Sequence, residues 1–82
     1  MERKIKLIWD FRGPAAEKTA LHHEIHLKEF IEQEKKQVLA TGVEHYNDVY
    51  SIAFLAVIES DMIFYRDALK PHRATLYETN PA

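Results

Sequence analysis

A single α+β domain of the ferredoxin-like type, β-α-β-β-α-β, is the fold predicted here, and three observations predict it. Strand-type runs at residues 4–11 and 49–58 lie on either side of a long helical segment that holds no Gly or Pro. A turn-forming pair, Asn47-Asp48, divides the later strand region in two. A short segment with a capping signal near residue 60 then leads into a last extended stretch. In that order the elements make a four-stranded antiparallel sheet with both helices on one face.

The first strand, residues 4–11, alternates cleanly. Ile5, Leu7, Trp9 and Phe11 share one face, while Lys4, Lys6 and Asp10 take the other. Arg12-Gly13-Pro14 ends it, and Pro14 suits the first turn of a helix. From residue 15 to about 36, Ala, Leu, Glu and Lys dominate. Ala16, Ala20, His23, Leu27, Phe30 and Ile31 fall on one helical face. Leu21 and Ile25 lie off that stripe, either as ordinary exposed apolar residues or as part of a subunit contact.

Residues 38–46 read as a second, less regular strand in which Gly42 marks a bulge or a close approach. Residues 49–58 form the most apolar strand, with both faces largely apolar and therefore both expected to be covered. In a lone chain the face turned from the helices would be wet, so a second subunit is the expected cover. Ser60 or Asp61 caps a second helix that runs to about Leu69, and Lys70-Pro71 stops it. Residues 74–78 make an edge strand. The domain is thus 1–79, with 80–82 as a tail.

At 82 residues the chain supports one domain of small core, the size class that usually leans on disulfides, a metal or a partner. With no cysteine, disulfides and thiolate metal sites are excluded, and a reducing compartment fits. The charged start, Met1-Glu2-Arg3-Lys4, reads as no signal peptide, and the longest apolar run, residues 52–58, is too short for a bilayer. A cytoplasmic location is expected, without a membrane partner. Net charge is −2 with acids and bases interspersed, which lacks the basic surplus that nucleic-acid binding leaves.

The predicted topology gathers distant groups at one end of the sheet. Asp10 and Arg12 close the first strand there, His45 and Tyr46 the second, and His72 and Arg73 open the last. Arg12 and Arg73 near a helix N-terminus would attract a carboxylate or phosphate, or else pair with Asp10, Glu17 or Asp67. The expected ligand-binding residues are Arg12, His45, His72 and Arg73, with His23 adjoining them. His23 lies on the apolar stripe, where a histidine is a hydrogen-bonded core residue or, facing a cavity, an acid–base group. His22 and His26 are four apart on one side of the helix, either a solvated pair or the start of a metal site. No nucleophile motif or phosphate loop is present, and no cofactor is expected; with no assured third ligand, neither is a metal.

The stretch His22-x-x-x-His26-Leu27-x-x-Phe30, followed by a strand ending in Thr41-Gly42, is similar to the dimeric α+β-barrel superfamily. Within it the chain resembles the YCII-like small proteins, and the Lys70-Pro71-His72 break continues the likeness. The resemblance implies a homodimer acting as a ligand-binding domain or cofactor-free enzyme, with a helix histidine and an Asp before a proline as the active pair. His22 or His26 matches the histidine. Lys70 stands where that Asp would be, so Asp67 or Asp10 would have to substitute.

The leading expectation is a dimeric domain that binds a small anionic or polar ligand at the rim. The alternatives are a cofactor-free enzyme with His23 or His26 as general base and Asp10 as its orienting group, a histidine-metal protein, and a structural homodimer without a catalytic site.

Overall fold

In a computed structural model, residues 3–35 and 37–77 are described. The elements follow in the predicted order: β1 (Lys4–Arg12), α1 (Ala16–Glu34), β2 (Ala40–Asn47), β3 (Tyr50–Ile58), α2 (Glu59–Leu69) and β4 (Arg73–Leu76). The sheet runs β2-β3-β1-β4, all antiparallel. This is the α+β ferredoxin-like arrangement. The expected end of α1 at residue 36, the end of the last strand at 78 and the tail at 80–82 lie outside the described residues.

Alternation in the two central strands builds the core. Ile5, Leu7 and Trp9 of β1 meet Ala53, Leu55 and Val57 of β3 under Leu27 of α1 and Tyr65 of α2. Each large side chain removed from water here contributes about 1.5–3 kcal/mol. Trp9 adds a direct tie, donating its indole N–H to the Leu69 carbonyl at 3.1 Å, one of the acceptors a helix C-terminus leaves open. No helix among the described residues is long and apolar enough to cross a membrane.

Several local expectations are corrected. The hairpin turn is Asp48-Val49, one residue later than predicted, with Asn47 accepting from the Val49 N–H at 2.9 Å. Neither Asn47 nor Asp48 is left-handed; an irregularity between His45 and Asn47 absorbs the twist instead. Gly42 carries no bulge but answers to a close approach, for a Cβ there would meet the Phe54 ring at 2.8 Å. The N-cap of α2 is Ile58, not Ser60 or Asp61, because β3 runs straight into the helix while Glu59 N–H is held by the Arg3 carbonyl.

The outer sheet face also differs from expectation. Ile52 and Ala56 face away from the helices, yet both are fully buried in the single chain, as is nearly all of Ile8. The register explains it. Ile52 lies between Asp10 and Glu44, Ala56 between Lys6 and Ala40, and Ile8 between Phe54 and Arg73. These longer neighbours fold over the apolar strip: Lys6 reaches Glu44 at 2.6 Å and sits 4.5 Å above the Phe54 ring. The stems of long charged side chains cover apolar surface while their heads stay hydrated.

Candidate functional site

The rim begins where β1 ends. Gly13, at φ 108°, turns the chain off the strand, its N–H bonding the Val49 carbonyl at 2.8 Å and its carbonyl accepting from Ala16 at 3.0 Å. That positive φ is cheap only for glycine. Strand pairing sets Arg12 opposite Tyr50 and Asp10 opposite Ile52, with Arg73 entering from β4 beside Ile8. All four polar groups therefore project to the outer face.

There they form one network around Tyr50. Its hydroxyl donates to Asp10 Oδ1 at 2.5 Å. Arg73 grips the same carboxylate with Nε to Oδ2 at 3.0 Å and Nη2 to Oδ1 at 3.1 Å, the bidentate geometry that makes such pairs strong. Arg73 also reaches the Tyr50 hydroxyl at 3.3 Å. The Arg12 guanidinium lies 4.2 Å over the Tyr50 ring, while Tyr46 stacks against that ring at 5.1 Å. Hydrogen bonds from Arg73 hold the Asp10 carboxyl below its ordinary range, against the opposing pull of burial.

The histidines sit on the other side of the sheet. His23 packs between Trp9 and Phe11, at ring separations of 4.8 and 5.5 Å. Its Nε2 is buried and has no hydrogen-bond partner among the described residues. Burial first, then the nearby His26, His72 and His22, push its pKa down, so the ring is neutral at physiological pH. His72 links the two sides of the rim: its Nδ1 accepts the Asp10 backbone N–H at 2.8 Å, and its ring meets the edge of Phe11. That bond leaves Nε2 as the protonated nitrogen of a neutral His72.

The predicted convergence therefore divides. Asp10, Arg12 and Arg73 come together, with His72 attached through the backbone. His45 does not join them, because it alternates with Glu44 to the helix side of the sheet, and its edge strand is separated from β4 by two others, roughly 14 Å at the usual spacing. It bonds Ser51 at 2.9 Å and stands 3.7 Å from Glu17. His26 is on the exposed side of α1 with His22 and Glu29. The Asp10 carboxylate takes Arg73 and Tyr50 as partners rather than either helix histidine. Among the described residues no group of three metal-ligating side chains assembles.

Tyr50 is a rim residue that sequence reasoning did not single out. Its parity on β3 was readable, but its place opposite Arg12 depends on the β1–β3 register. A cavity of about 220 Å³ opens at the other end of the sheet, lined by Gln37, Val38, Leu39, Ile58 and Asp61. Among the described residues its single charged wall residue is an acid, which does not suit an anion. Fold and rim together define a small ferredoxin-like α+β protein with a cation-flanked tyrosine at one end of its sheet. No family model matches the chain, and no curated protein or solved structure is significantly similar to it.

Proposed function

We propose that this protein binds a small anionic ligand, a carboxylate or phosphate compound, on the outer rim at Arg12, Tyr50 and Arg73. One observation carries the reading: two guanidinium groups converge on Tyr50, and among the described residues only the Asp10 carboxylate balances them. Arg73 is neutralised by that carboxylate, whereas Arg12 lies over an uncharged ring and, among the described residues, its forked donors have no hydrogen-bond partner. A guanidinium resting over an aromatic ring presents a planar fork of donors suited to bidentate oxyanion recognition. The Tyr46–Tyr50 stack supplies apolar surface for the rest of such a ligand.

The test uses inorganic phosphate and a series of mono- and dicarboxylates. Proton–nitrogen spectra of the labelled full chain should shift at Arg12 Nε, Tyr50 and Arg73, and Arg12→Gln should weaken binding by about tenfold or more, the scale of one charge-assisted hydrogen bond. Shifts centred on residues 37–39 and 61, or none with any probe, would reject the reading.

A further inference from the structure

On the solvent side of α1, away from the rim, His22 and His26 bring their Nε2 atoms within 3.0 Å, with the rings nearly perpendicular. The Nδ1 of His26 is 3.2 Å from Glu29 Oε1. An ionised Glu29 can only accept, so a neutral His26 carries its proton on Nδ1 and aims the Nε2 lone pair at His22. Without a metal, His22 donates its own Nε2–H into that lone pair; in its other tautomer it presents a second lone pair to the same point.

The separation, that of a hydrogen bond without a metal, also fits two imidazoles on one ion. Imidazole nitrogens bind late first-row metals at about 2.0–2.1 Å, and two of them 3.0 Å apart subtend close to a right angle at the metal. A right angle is the cis angle of tetragonal and octahedral ions, narrower than the tetrahedral angle zinc prefers. Glu29 occupies the position from which an outer carboxylate fixes a metal-bound imidazole. Because the histidines are one helical turn apart, α1 sets their approach before any ion arrives.

We propose that His22 and His26 chelate a divalent copper or nickel ion on the exposed side of α1, Glu29 orienting His26 and water filling the remaining positions. Both rings are solvent-exposed, which leaves room for that water and a path of entry. The site is independent of the anion-binding rim.

The test titrates chelator-treated, untagged, nitrogen-labelled chain with less than one equivalent of copper(II) chloride. Paramagnetic broadening should centre on residues 21–29. His22→Gln and His26→Gln should each weaken binding by more than about tenfold, and Glu29→Gln by about tenfold, the scale on which losing an outer-shell partner alone acts. Broadening centred on the start of the chain, on His45 or on His72, or equal in wild type and variants, overturns the proposal, as does none at all. Nickel-affinity chromatography gives a second reading: wild type should be retained and both histidine variants should pass through, and equal retention counts against the site. Circular dichroism establishes that the variants, changed only at exposed positions, are folded.

Discussion

Tyr50 shows how a single side chain can organise charge. Its hydroxyl and ring hold Asp10, Arg73 and Arg12 within one hydrogen-bonded, stacked group. The same logic recurs nearby, where Lys6 holds Glu44 below the ordinary carboxylate range, with help from Tyr46. Both carboxylates bind protons more weakly folded than unfolded, so their contribution to stability is complete above the ordinary values of 3.8 and 4.5. It is lost as pH falls through the lowered folded values. Urea midpoints should therefore decline gently below about pH 6.5, where the unfolded chain protonates a histidine that the fold keeps neutral, and drop steeply below about pH 4, the window of carboxylate linkage. Asp10→Asn should show a shallower acid loss than wild type; identical pH curves would deny Asp10 this part. His23 loses stability in acid for the opposite reason, as a base the fold keeps uncharged. Its buried nitrogen, without a partner among the described residues, itself costs about 1–3 kcal/mol.

Among the elements, β2 and β3 are fitted to each other through Gly42 and Phe54. The Phe54 ring lies where a Gly42 side chain would be, pinned by Lys6 above it and Tyr77 alongside. Gly42→Ala should cost about 1–3 kcal/mol, the usual scale of overpacking. Adding Phe54→Leu should recover part of the loss in a double-mutant cycle, and strict additivity in urea unfolding would contradict the contact. The helices end on backbone devices instead: Lys35 and Lys70 take left-handed conformations at φ 55° and 52°, each returning its N–H to the carbonyl four residues back. Pro71 then prevents α2 from continuing.

The whole molecule closes its sheet from both sides. Helices cover one face, and on the other Lys6, Glu44, Phe54 and Asp10 flank Ile8, Ile52 and Ala56. The apolar strip that suggested a partner subunit is thus covered within one chain. Phe54→Ser removes the largest apolar part of that cover. It should lower stability by about 2 kcal/mol, less than for a fully buried aromatic, and raise the sedimentation mass above that of wild type at equal concentration. An unchanged mass would mean that the remaining charged neighbours suffice.

Element order and type were legible because each rests on local signals: alternation in β1, freedom from Gly and Pro in α1, and the apolar density of β3. The inner core was legible for the same reason, since parity alone sets Leu7, Trp9, Leu55 and Val57 on one side. The wish for a covered second face was also correct, although its cover proved to come from the chain itself. Register and width across the sheet were decided only in three dimensions. Which residue stands opposite which depends on long-range pairing that no local pattern encodes, so Tyr50 was missed as the partner of Arg12. His45 was likewise grouped with His72 although two strands separate them. Local periodicity determines which way a side chain points; only the pairing of distant strands decides what it meets there.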